Sequence, residues 1–371
     1  MYYNKLDGLR TLAVFGVMVS HWIELDFVKT LGLGFWGVNL FFVLSGFLIT
    51  EILLKQIYQK QQVGKLLKKF YIKRTLRIFP IYYLVIIFAF IINLDGSRVF
   101  SGYSFTYTLN FYNSFTGDVG ASLSHIWSLC VEEQFYLLWP FILVVIKPVH
   151  YKKLIIAAIG AALLFRFIIF LINIPHYNII NYRMMPGCMD SLGFGALLAY
   201  LKLNRPEWIV SFLKKSIIPV TSLLLFIIIV FFLKKYIFFS EVFLRFLVSV
   251  CSFFLIGNAL FHMNNSFGKF LENRIVKYLG KISYGLYLYH LLVSSLLSDW
   301  FNTYWKSIRT LLPGKLEYNS YILSFPLYLS ITILIASLSY FIIERPFLRT
   351  KEKLEKKWAQ KSISLSSVVA E

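Results

Sequence analysis

Residues 34–54 read GFWGVNLFFVLSGFLITEILL, a run with one charged group, Glu51, near its end. A helix rises about 1.5 Å per residue, so about 20 such residues cross the ~30 Å hydrocarbon core of a bilayer. No proline interrupts the run, and no polar/apolar alternation marks it as a half-buried strand. It reads as a membrane-spanning helix, and runs of the same kind recur along the chain. Spans are expected at 9–27, 34–54, 76–93, 126–146, 154–172, 185–201, 216–233, 243–261, 279–298 and 321–343. They predict an all-α, polytopic integral membrane protein of about ten transmembrane helices.

Composition agrees with this. The 371 residues are 58% hydrophobic and 19% aromatic, and only 15% are charged. Soluble domains carry about 25% charged residues, so neither a water-soluble globular enzyme nor a disordered chain fits. Cys130, Cys188 and Cys251 all lie in apolar stretches, as small core residues rather than a disulfide framework. Asp7 in the flank of the first span, and Ser20-His21-Trp22 towards its end, do not make a signal-peptide cleavage site.

The net charge is +20. In a soluble protein that would suggest a nucleic-acid partner, but here charge is read by location. The connection that runs into the third span holds Lys55, Lys60, Lys65, Lys68, Lys69, Lys73, Arg74 and Arg77, whereas the long connection 94–125 holds only Arg98 among Lys and Arg. Basic residues collect on the cytoplasmic side of membrane proteins. The pattern predicts both termini cytoplasmic, with residues 1–350 as the transmembrane domain and 351–371 as a charged cytoplasmic tail, and it needs no nucleic acid. The external connection 94–125 is rich in Ser, Thr, Tyr, Asn and Gly, which suits contact with a sugar or headgroup and equally suits a plain surface loop.

Ionisable groups within spans are costly and face a cavity or a partner. Arg10 and His21 lie eleven positions apart on the first helix, so they share a face at about 16 Å separation. Glu132 enters the fourth span at an estimated depth similar to that of His21, which makes the two a candidate acid/base pair. Asn39 and Asp190 also fall in outer halves of spans. The other reading of such groups is hydrogen-bonding glue between helices. Arg74 and Arg77, at i and i+3, share a helix face and with Arg10 are candidates to hold phosphates. No His-Glu-x-x-His motif, phosphate-binding Gly-rich loop or dinucleotide fingerprint occurs, so no metal and no permanently bound cofactor is expected.

Six blocks of sequence resemble the acyltransferase-3 family of bacterial membrane proteins, the polysaccharide O-acetyltransferase group. They are Leu6-Asp7-Gly8-Leu9-Arg10 with His21 eleven residues on, Gly37 to Ile49, Arg74-Thr75-Leu76-Arg77-Ile78-Phe79-Pro80, Trp127 to Tyr136, Ile282 to His290, and Glu344-Arg345-Pro346-Phe347. Two positions depart from the family pattern. Asn39 stands where an acid is common, and Cys188 stands where an Arg often precedes the Asp190 position. Some relatives carry a hydrolase-like domain after the bundle, and the resemblance implies a standalone form here.

The resemblance implies an O-acyltransferase, an O-acetyltransferase in particular, in the bacterial inner (cytoplasmic) membrane. The donor would be cytoplasmic acyl-CoA, with acetyl-CoA the usual one. The acceptor would be a hydroxyl of a surface glycan such as a lipopolysaccharide O-antigen, or of its lipid-linked precursor, with membrane lipids around the bundle. Arg10, Arg74 and Arg77 would bind the donor, His21 would be the general base, and Glu132 would orient its imidazole. Asn39, Ser45, His125, Glu133, Asp190 and His290 are possible acceptor-side or supporting groups, with His290 leaning to a structural role. The competing reading is a transporter or flippase of a lipid-linked saccharide, although no paired interrupted helices in inverted halves support it.

Overall fold

The structure, a computed structural model, describes residues 3–118, 120, 122–214, 224–225, 228–229, 235–261, 265–309 and 321–368. Among the described residues there are helices, turns and coil, and no strand. The long helices are α1 (Asn4–Trp22), α2 (Leu33–Tyr58), α3 (Val63–Ile92), α4 (Trp127–Val145) and α5 (Tyr151–Ile172). They continue with α6 (Met185–Asn204), α7 (Leu244–Phe261), α8 (Ser283–Arg309), α9 (Tyr321–Ser339) and α10 (Arg345–Val368). A π-helical turn, Tyr340–Glu344, joins α9 to α10. The span expected at 216–233 lies mostly outside the described residues.

Among the described residues, six helices are long and apolar enough to cross a membrane. They contain α2, α3, α4, α5, α7 and α9. The expected spans at 9–27, 185–201 and 279–298 coincide with α1, α6 and α8, which do not meet that measure. The reason is their place in the bundle. A helix enclosed by other helices can carry polar residues that lipid would not tolerate. α1 packs on α2, α7 and α8, and α6 packs on α2, α5 and α7. At the other extreme is α5, with only 22% of its most apolar window buried, against 78% for the run containing α2. α2 is therefore the central helix and α5 a peripheral one.

The contact between α2 and α6 is backbone to backbone. A Cβ on Gly46 would collide with the Leu192 carbonyl oxygen, and one on Gly195 with the Val43 carbonyl oxygen. Small residues serve this purpose in membrane bundles, where dispersion contacts and hydrogen bonds replace the hydrophobic driving force. Outward of this contact, Asn39 Oδ1 accepts from Ser191 Oγ on α6 (2.8 Å) and Arg245 Nη1 on α7 (3.1 Å). Asp190 is fully buried and ion-paired with Arg166 Nη2 of α5 at 2.6 Å, and Arg166 also donates to the Val242 and Gly187 carbonyls. Arg166 reaches Asp190 from a different helix. Asn39 and Asp190 hold four helices together.

The connection 94–125 is a folded cap rather than a plain surface loop. Short helices at Ser101–Phe105 and Leu109–Thr116 lead to a 3-10 turn, Ser124–Ile126, that runs directly into α4. Asn110 and Asn113 are buried in it. Gln134 Nε2 donates to the Tyr107 carbonyl and to Asn110 Oδ1, both at 2.9 Å, and Tyr82 donates to the Ser104 carbonyl at 2.7 Å. The tail expected from residue 351 is part of α10, which packs on α3.

The glycine contact is testable. Gly46→Ala overpacks the α2–α6 interface and should cost about 1–3 kcal/mol, read as a lower midpoint of thermal unfolding in detergent. Gly64, with nothing near the position of its Cβ, is the control: Gly64→Ala should leave the midpoint unchanged or raise it slightly.

Candidate active site

The sequence candidates separate into three tiers along the bundle. The first holds the basic residues. Arg77 on α3 has Arg10, Arg74, Tyr136 and Asp7 as its charged or ionisable neighbours. Arg10 pairs with Asp7 one turn earlier, at 2.5 Å. Arg74 lies over the Tyr136 ring, 4.4 Å from its centroid. Arg77 keeps accessible surface although groups of α1, α3 and α4 lie around it. The structure therefore brings together the three arginines expected to act as a group.

The second tier is built on Glu132. Its carboxylate accepts from Ser45 Oγ at 3.0 Å and from the Tyr136 hydroxyl at 2.9 Å, and those two hydroxyls lie 2.6 Å apart. The nearby cations are Arg74 and Arg10. Glu133 shares this neighbourhood, with Arg74 and Glu132 beside it. Tyr136, which links the tier to the arginines, was not a sequence candidate. Its signal was present, because it lies four residues after Glu132 and so on the same helix face.

The third tier is a histidine cluster. The His21 and His290 rings lie 5.2 Å apart and the His125 and His290 rings 4.8 Å apart. His290 Nδ1 meets the Tyr287 carbonyl at 2.6 Å, and His125 Nε2 meets the Leu288 carbonyl at 3.2 Å. A carbonyl only accepts, so each of these nitrogens carries its proton. The remaining nitrogens, His290 Nε2 and His125 Nδ1, are buried acceptors without a partner among the described residues. Tyr287 fixes the cluster from α8: its hydroxyl meets Ser128 Oγ at 2.6 Å and donates to the His125 carbonyl at 3.0 Å.

His21, at the end of α1, is exposed to a cavity of about 210 Å³. Ser20, Ser124, His125, Arg183 and Tyr287 share that cavity. Arg183 is tied to the cap through Asn113 Oδ1 at 2.8 Å and lies near the Trp127 ring.

The structure gives His21 and Glu132 different partners. Among the described residues no hydrogen bond joins them. His21 has His290 and Arg183 as neighbours, and Glu132 has Ser45, Tyr136 and Arg74. The depth estimate started α4 at the membrane surface. The chain has in fact already entered the fold at the buried His125, because the cap covers the start of the helix. Glu132 lies seven residues, about 10 Å, further in. The His290 ring lies beside those of both His21 and His125. Among the described residues, no group of three or more His, Cys, Asp and Glu has the arrangement of a metal site.

The acyltransferase-domain model of the acyltransferase-3 family matches residues 3–341. The peptidoglycan O-acetyltransferase OatA of Listeria monocytogenes is 31% identical over a match covering 78% of this chain and 49% of that protein. The O-acetyltransferase OatA of Staphylococcus aureus strain NCTC 8325 is 27% identical, covering 93% of this chain and 57% of that protein. The chain thus spans about half the length of the curated relatives it matches. No solved structure is significantly similar to it. With the family pattern present from end to end of the bundle, and the six blocks that suggested it forming the tiers and their supports, the chain belongs to the acyltransferase-3 family.

Proposed function

We propose that this protein is a membrane O-acetyltransferase that moves an acetyl group from cytoplasmic acetyl-CoA to a hydroxyl of a cell-surface glycan or its lipid-linked precursor. The observation that carries the reading is the axial order of the site. An arginine cluster suited to phosphates and a histidine-lined cavity occupy opposite ends of one bundle, about 16 Å apart along α1. In this reading about ten helices cross a bacterial cytoplasmic membrane with both termini inside. The arginines then face the compartment where acyl-CoA is made and the cavity faces out. The names of the relatives favour a cell-wall glycan acceptor over a lipopolysaccharide O-antigen.

Arg10, Arg74 and Arg77 bind the donor phosphates by charge-assisted hydrogen bonds. The pantetheine arm passes the Ser45–Tyr136–Glu132 tier and delivers the thioester to the cavity. His21 takes the proton of the acceptor hydroxyl as its oxygen attacks the thioester carbonyl. The C–S bond breaks, an ester C–O bond forms, and the coenzyme thiolate leaves with the proton held by His21. His290 takes the orienting role first expected of Glu132, since its ring lies 5.2 Å from that of His21 and its Nε2 has no partner among the described residues. Acetyl transfer to a purified glycan in proteoliposomes tests the whole reading. Acetylated product by mass spectrometry supports it, and transmembrane movement of unmodified glycan would replace it with transport.

Three further results are expected. A cysteine at the exposed Val99 should react with an impermeant thiol reagent in intact cells, and one at Lys65 should not. Labelling at Lys65 reverses the topology. His21→Gln should retain acetyl-CoA binding and lose at least the ~10²-fold in turnover typical of a missing general base, and near-normal transfer removes His21 from the chemistry. Arg74→Gln should weaken donor binding by about 1.5–3 kcal/mol and recover turnover at saturating donor. A variant that stays inactive at saturation would show that Arg74 does more than clamp phosphate.

A further inference from the structure

α10 lies beyond residues 3–341, where the family match ends. Its register against α3 follows from three contacts. Glu355 Oε1 pairs with Lys73 Nζ at 2.7 Å. The Trp358 ring has Lys69 and Lys73 at 5.7 and 5.9 Å from its centroid. Rising numbers on α10 therefore meet falling numbers on α3, and the helices run antiparallel. Lys351, Glu355 and Trp358 stand at i, i+4 and i+7, on one helix face. One turn back from Glu355 and one turn on from Lys73, that face sets Lys351 opposite Arg77. The charged neighbours of Lys351 are Arg77, Glu355, Arg74 and Lys73.

Three of the acids near this end are already engaged. Asp7 pairs with Arg10 and Glu355 with Lys73, while Glu132 is bonded to Ser45 and Tyr136. Glu344, on the π-helical turn, is the acid facing Arg77. Lys351 stands level with Arg77, and from there α10 leads away along Lys73 and Lys69.

We infer that α10 completes the donor site and that Lys351 binds the ribose 3′-phosphate of coenzyme A. This inference rests on the acyl-CoA reading above. Coenzyme A carries a diphosphate next to pantetheine and a separate phosphate beyond it, on the ribose. With pantetheine directed towards Tyr136 and Glu132, the diphosphate falls to Arg10, Arg74 and Arg77. The 3′-phosphate then falls to Lys351, the cation that α10 adds beside Arg77.

Calorimetry on the purified full chain, with coenzyme A and 3′-dephospho-coenzyme A as probes, tests it. The wild type should bind coenzyme A more tightly than the dephospho form. Lys351→Gln should weaken coenzyme A binding by about tenfold and leave dephospho-coenzyme A binding unchanged. Lys353→Gln removes the same charge from an exposed position on the other face of α10 and should alter neither. If Lys351→Gln binds both probes as the wild type does, the inference is overturned and the donor reading stands. Equal weakening for both probes overturns the 3′-phosphate assignment. A wild type that binds neither probe overturns the acyl-CoA reading itself.

Discussion

The close approach of α2 to α6 is the constraint on which the rest of the bundle depends. Gly46 and Gly195 let the two backbones touch, and that contact places α2 at the centre of the molecule. Ser45, the neighbour of Gly46, is then turned towards α4, where it meets Glu132 and Tyr136. Asn39, nearly two turns further out, reaches α6 and α7 through Ser191 and Arg245. A larger side chain at the glycines would separate the helices and remove both sets of polar contacts at once.

Enclosure by neighbouring helices divides the polar groups of this protein into two kinds. Asn39, Arg166, Asp190 and Arg245 are buried and saturated with partners. They tie helices together at positions where an unpaired charge would be prohibitively costly. Arg10, Arg74, Arg77, Glu132 and His21 keep accessible surface inside the bundle. In the function proposed above, these are the groups that meet the substrates. The histidines add a finer distinction. His125 and His290 each spend one nitrogen on a backbone carbonyl and keep the other bare in a buried setting, so the tautomer of each is set before any substrate arrives.

The cap over the histidine cavity is fixed at several points. Its asparagines are buried, Gln134 anchors it to α4, and Arg183 ties it to the cavity wall. A segment held at so many points acts as a wall, and the cavity keeps its shape without a lid having to close. At the opposite end α10 lies along α3 and adds Lys69, Lys73, Lys351 and Trp358 to the surroundings of the arginines.

The sequence by itself determined the membrane class, most of the helices and the grouping of the arginines. Each of these follows from local information: long apolar runs, the location of basic residues, and an i, i+3 spacing on one helix. It also named His21 and Glu132, because ionisable residues inside apolar runs stand out without any structure. What those residues touch was decided only by the tertiary structure. Axial depth cannot be counted from a span boundary when the preceding segment, here the cap with His125, is itself folded into the bundle. Hence Glu132, seven residues along the chain from the buried His125, meets Ser45 and Tyr136, while His21 meets a histidine from α8, more than 260 residues away in the chain. The partner of Asp190 was hidden for the same reason. Arg166 reaches it from a separate helix, and no spacing rule along one helix connects residues that only packing brings together.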